Sequence, residues 1–275
     1  TLRWSIARFL VVVESRLERT YIPIMNELSV MPTTDGRFSL NVDGIQLMTN
    51  MGDPYPVMHG NETFLRHMAQ ELSERGELTL NEGQILGPPG FDSYSLFSLQ
   101  KNWVEPGRDN LTTDLLLELI HEPLLEYSPN PETWGLRFAA QPVVLWLETL
   151  GLRLVDLDYV DHDRLEGVPE EHWRINANAG DDDQEAFEQL FRKLGMVYSE
   201  FTVQQKSVAT YLTNISNNFL LYSMCLAAGS CTPADFGNAY ASRYSSTPSG
   251  RKFKKLSSEA TKGAQRSRSF LELSS

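Results

Sequence analysis

The sequence predicts a mainly α fold: a helical domain with a small β-hairpin near residues 35–50 and an extended basic C-terminal arm. Three observations predict it. Apolar residues recur at three- and four-residue spacing over most of the chain. Alternation of apolar and polar residues is clearest from Asp35 to Leu47. From Arg243 onward the composition turns basic and rich in serine.

Leu2, Ile6, Phe9, Leu10, Val13 and Leu17 form one stripe, so a helix is expected over 2–20, with Pro23 restricting its extension. Between Gly36 and Gly44, Phe38-Ser39-Leu40-Asn41-Val42 alternates and Ile45-Gln46-Leu47 continues the pattern, the mark of a hairpin. Asp53-Pro54-Tyr55-Pro56 reads as a loop. A helix follows from about Glu62 to Glu74, with Phe64, Leu65, Met68 and Leu72 inward, ending near Gly76.

Gly87-Pro88-Pro89-Gly90 can neither continue a helix nor pair inside a sheet, which makes it the expected lobe boundary. Helices are expected near 92–101, 112–127 and 141–150, the last with Pro142 in its first turn. Asp181 to Asp183 precede the stripe Phe187, Leu190, Phe191 and Leu194, and acids there complement a helix N-terminus. Gly195 is expected to end that helix. A long helix over about 202–228 should stop near Gly229, and Thr232-Pro233 should open a short last segment. The expected organisation is a lobe over 1–86, a second lobe of the same domain over 91–242, and a tail over 243–275.

The 275 residues are 41% apolar and 10% aromatic, enough for a sizeable core. The net charge of −12 argues against nucleic-acid binding by the whole surface. It is unevenly spread. Residues 243–275 hold eight cations and two acids, or +6, which leaves −18 on residues 1–242. Such a split points to a tail that meets a polyanion. The apolar run Ile6–Val13 is short and closely followed by charge, so no membrane role is expected. Two cysteines, Cys225 and Cys231, are too few for a disulfide scaffold and favour a reduced setting, with Cys225 read as a buried inert thiol on an apolar helix face. The first residue, Thr1, is consistent with processing from a precursor or with a truncated end.

No catalytic constellation emerges. Asp156, Asp158, Asp161, His162, Asp163 and His172 lack the order of a calcium loop and read as a solvated acidic loop. Gly180-Asp181-Asp182 lacks the strand context of paired polymerase acids. There is no phosphate loop and no dinucleotide-binding glycine pattern, so neither a cofactor nor a metal is expected. The chemistry available lies in the tail. Arg251, Lys252, Lys254 and Lys255 bracket Phe253, cations for phosphates around a ring that can stack on a base. Arg243 and Tyr244 form a similar pair, and Arg266 and Arg268 add charge further on.

Tyr240-Ala241-Ser242-Arg243-Tyr244-Ser245-Ser246-Thr247-Pro248, then Arg251 and Lys262-Gly263-Ala264-Gln265-Arg266-Ser267, resembles the end of potyvirus-like flexuous filamentous coat proteins. The resemblance covers about thirty residues. Asn238-Ala239-Tyr240 stands where the family has Phe-Asp-Phe, so none of the family's RNA-groove residues is carried over. The resemblance implies a basic helix after the Thr-Pro, mostly helical subunits, self-assembly into filaments and RNA held in a groove. The expectation is therefore a viral coat or nucleocapsid subunit, found in the virion and the host cytoplasm, that forms a homo-oligomer and packages RNA through its tail. Two other readings stand beside it. One is a non-enzymatic scaffold using the acidic 156–188 region and a regulatory tail. The other is an enzyme with a nonstandard metal site near Asp161, His162 and His172.

Overall fold

The computed structural model describes residues 20–23, 28–75, 77–81, 84–86, 92–107, 119, 122, 139–152, 181–216, 219–244 and 250–274. These are mainly helical, with one small, mostly antiparallel sheet. They form two compact units, one of Thr1–Pro106 with Ser269–Ser275 and one of Gly107–Arg268.

In the first unit, seven strands are β1 Thr20–Pro23, β2 Leu28–Pro32, β3 Phe38–Val42, β4 Ile45–Met48, β5 Met58–His59, β6 Glu77–Asn81 and β7 Gln84–Leu86. Their order is β1-β6-β7-β4-β3-β2, with β5 also on β3 and only β4–β7 parallel. The predicted hairpin is β3–β4. Asp43 at φ 50° and Gly44 at φ 81° both sit in the left-handed region, as a two-residue turn of the hairpin hand demands. Leu40, Val42 and Leu47 are fully or almost fully buried, as the alternation requires. The helix predicted over 2–20 lies outside the described residues except at Thr20, which begins β1.

Helix α1, Glu62–Arg75, packs against β2, β3, β5 and the following helix. Asn61 Oδ1 accepts the Thr63 and Phe64 N–H groups at 2.9 and 3.3 Å and caps it. Phe64 is the hub of this core. Its ring lies 4.8 Å from His59, 6.2 Å from Phe97 and 5.6 Å from Phe270, centre to centre. Helix α2, Ser93–Leu99, is buried at every position and continues as a π-helical turn, Gln100–Val104. Two buried carboxylates serve its start: Asp92 accepts the Ser95 N–H at 2.7 Å and Glu71 accepts the Ser93 N–H at 2.8 Å. The two acids, of which Glu71 lies 3.4 Å from His67 Nε2, thus satisfy helix donors. Gly87-Pro88-Pro89-Gly90 lies outside the described residues, and α2, which follows it, belongs to the first unit.

The second unit holds α3 Gln141–Thr149, α4 Asp181–Glu200, α5 Val203–Ile215, α6 Leu220–Ala227, α7 Pro233–Tyr244 and most of α8 Arg251–Leu273. Pro142 stands in the first turn of α3, as predicted. Helix α6 is buried on all sides and packs on α3, α5 and α7. Phe219 stacks on Tyr222 at 5.1 Å, and both meet Phe236 of α7 edge-on, at 5.9 and 6.3 Å. Cys225 and Cys231 are both buried, free thiols.

Two expectations fail here. Gly195 does not end α4, because Leu190, Leu194 and Tyr198 extend the buried stripe through it, and tertiary packing overrides the glycine's cost of about 1 kcal/mol. The single helix expected over 202–228 is two, α5 and α6. Ser216 bonds back to the Leu212 carbonyl and caps α5, and an Asn-rich stretch follows it. The outer ends of that range are as predicted. Thr202 and Gln205 form a reciprocal capping box, and Gly229, at φ 77°, closes α6 with bonds from its N–H to Leu226 and from Ser230 to Cys225. Thr232 and Asp235 cap α7 in the same reciprocal way.

Candidate nucleic-acid interface

The segment expected as an extended arm is a 23-residue helix, α8. The reason is a second periodicity hidden under its charge: Ala260, Gly263, Ala264, Ser267 and Phe270 are buried and follow three- and four-residue spacing. Beside that stripe, α8 comes close to α7 at Gly237, against Ser257 and Thr261. A Cβ added at Gly237 would lie 2.0 Å from Thr261 Oγ1 and 2.7 Å from the Ser257 carbonyl, so only glycine fits. Ser257 Oγ donates to Asn238 Oδ1 at 2.8 Å beside it. Beyond Arg268 the helix belongs to the first unit, where Phe270 is fully buried and the Leu273 carbonyl accepts from Asn61 Nδ2 at 2.9 Å.

The opposite face of α8 carries the cations. Arg251, Lys255, Lys262 and Arg266 recur at spacings of four, seven and four, so they share one side, with Ser258 and Ser269 among them. Arg251, Lys252, Lys254, Lys255 and Lys262 are exposed, while Arg266 is half-buried. Lys255 reaches Glu259 at 3.9 Å, an exposed contact of little strength. Arg251, Lys252, Lys254 and Lys262 form no ion pair with a described residue. No acid stands in the first turn of α8. Four cations crowd the end where the helix dipole is already positive, which destabilises the helix and strengthens the positive potential there.

Of the residues predicted from sequence, Arg251, Lys252, Lys254 and Lys255 lie on the first turn and a half of α8, with Phe253 half-buried between them. Arg268 is set apart. Its guanidinium lies over Gly229, where an added Cβ would meet Nη1 at 3.2 Å. Arg243 and Tyr244 end α7, both half-buried. Arg243 Cζ sits 5.3 Å from the Tyr244 ring centre, and its Nη1 donates to the Ser216 carbonyl at 3.4 Å. Tyr244 meets Tyr240 edge-on at 5.0 Å. Burial raises the Tyr240 phenol above its usual pKa, with Tyr244 and Glu259 of α8 adding in the same direction, so the ring stays neutral beside the charged helix.

Sequence reasoning missed Lys262 and Tyr240. The signal for Lys262 was its place seven residues after Lys255, which gains meaning only once the segment is read as a helix. The expected acidic loop at 156–172, with His162 and His172, lies outside the described residues. Among the described residues no group of three metal-ligating side chains assembles, and no helix is long and apolar enough to cross a membrane. Comparison with protein-family models, curated proteins and solved structures finds no match to this chain.

Proposed function

We propose that the protein is a structural RNA-packaging subunit, a coat or nucleocapsid protein, that engages RNA through the outer face of α8. The observation that carries this reading is a cationic helix face, on which Arg251, Lys252 and Lys254 form no ion pair with a described residue, in a chain whose residues 1–242 sum to −18. Acid elsewhere repels nucleic acid and confines it to that face, while phosphates relieve the crowding of Arg251, Lys252, Lys254 and Lys255. A net-acidic body also gives a neighbouring copy something for a basic helix to meet, which suits self-assembly.

Binding of a polyuridine oligomer at increasing salt tests the reading. Arg251→Gln, Lys255→Gln and Lys262→Gln together should reduce the slope of log affinity against log salt by roughly 2, since each single-strand phosphate contact contributes about 0.7. Electron microscopy of the purified protein with and without nuclease reports assembly. Salt-insensitive binding left unchanged by the triple substitution, with dispersed particles, would sink the proposal.

A further inference from the structure

The cationic face does not stand alone, because the C-terminal turn of α7 adjoins it. Six residues link Tyr244 to Arg251, and the helices cross in contact at Gly237 and Thr261. They meet again at Asn238 and Ser257, one turn nearer the start of α8. Glu259, which reaches Lys255 at 3.9 Å, also acts electrostatically on Tyr240, so the tyrosine and the lysine flank the same carboxylate. Tyr211, Phe219, Tyr222 and Phe236, deeper in the same unit, are at most 4% exposed. Tyr240, Tyr244 and Phe253 instead keep part of their surface in water at the edge of the cation cluster. The Tyr240–Tyr244 pair offers ring surface at 5.0 Å spacing, and Arg243 holds Tyr244 in place from 5.3 Å.

Resting on the reading above, we propose that the ligand of this surface is specifically a single-stranded nucleic acid. Its phosphates lie along Arg251, Lys255 and Lys262, and one or two bases pack on Tyr240 and Tyr244. The α8 stripe from Arg251 to Arg266 is roughly 22 Å long at 1.5 Å per residue, room for several nucleotides. A duplex satisfies the cations equally well, yet it keeps its base faces stacked inside and leaves the tyrosines unused. A single strand uses both, because every base has a face that stacks on an aromatic ring.

The test compares the full chain with a Tyr240→Leu/Tyr244→Leu variant and a Tyr240→Phe/Tyr244→Phe variant. The probes are a polyuridine oligomer, duplex RNA of the same length, heparin and polyglutamate. The wild type should prefer the single strand. The leucine variant should lose roughly tenfold or more of that affinity, the order that stacking of one base supplies, while heparin binding holds. The phenylalanine variant should keep both. Should the leucine variant misfold, a 4-thiouridine oligomer irradiated with the wild type should cross-link at Tyr240 or Tyr244. Equal affinity for duplex, heparin and single strand, or cross-links only elsewhere, overturns this inference and leaves the packaging role intact. Preference for polyglutamate, or no salt-sensitive binding to any probe, overturns both.

Discussion

Helices α4 and α8 have similar lengths, 20 and 23 residues, and each buries one stripe, but their charges are arranged in opposite senses. Helix α4 opens on Asp181-Asp182-Asp183, acids at the end where the dipole is positive. Helix α8 opens on Arg251 and Lys252 and adds Lys254 and Lys255 within the next turn. The first arrangement helps the helix to form. The second works against it twice, through the dipole and through the like-charge spacing of Arg251 and Lys255. Folding explains the charge on α4 but not the charge on α8, and that residue of unexplained cost is the physical case for a partner. The inner stripes differ too. Leu190, Leu194 and Tyr198 fill volume on α4, whereas the buried residues Ala260, Gly263 and Ala264 of α8 are small.

The comparison breaks most visibly at Phe270, where α8 is as structural as α4. Phe270→Ala should cost about 3–5 kcal/mol in urea or thermal denaturation, because the ring is fully buried against Phe64. A loss under 1 kcal/mol would mean that the end of α8 is dispensable. This bears on how the RNA reading is tested. Truncation at Arg243, the cut the charge split suggests, would remove Phe270 and the packing at Gly237 together with the cations. Only substitutions on the outer face separate binding from folding.

Elements whose signal is local were legible in the sequence. The hairpin at Asp43-Gly44, the helix from Glu62, the first-turn Pro142, the Gly229 stop and the Thr232 cap each depend on a few adjacent residues, and each stands where expected. What stayed hidden depends on distant residues. Strands β6 and β7 are short and take their place from β1 and β4, which lie far from them in the chain. Gly195 and the break after Ile215 were misjudged in opposite directions, since glycine survives inside a well-packed helix while a long apolar stretch interrupted by Asn214, Ser216, Asn217 and Asn218 is divided into two. The candidate site was legible as a composition but not as a surface. A stripe of alanine, glycine and serine is faint on any hydrophobicity scale, so periodicity did not reveal α8, and only the resemblance implied a basic helix there.

A second expected effect isolates the role assigned to α4. Asp181→Asn, Asp182→Asn and Asp183→Asn together should lower stability by about 1–2 kcal/mol in all, and the loss should shrink at high salt. Affinity for a polyuridine oligomer should hold or rise slightly, because only repulsive charge is removed. A fall in affinity without a fall in stability would mean that the acids of α4 serve a ligand and that the contrast with α8 is false.

The smallest effect is the sharpest test, because its two readouts should move in opposite directions. Lys252 is exposed, lies in the first turn of α8 and forms no ion pair with a described residue. Lys252→Glu gives α8 the acidic start that α4 already has. Stability should rise by about 0.3–1 kcal/mol, as expected for an acid at the positive end of a helix dipole. Affinity for polyuridine should fall, with the salt slope reduced by roughly 0.7 for a lost phosphate contact. If stability drops instead, the cations hold the fold together and the unexplained cost disappears. If stability rises and affinity stays the same, Lys252 lies off the path of the strand, and the interface narrows to the stripe of Arg251, Lys255 and Lys262. Only the paired result, a more stable helix that binds less RNA, places the charge of α8 where the comparison with α4 puts it, in the service of a polyanion at the expense of the helix.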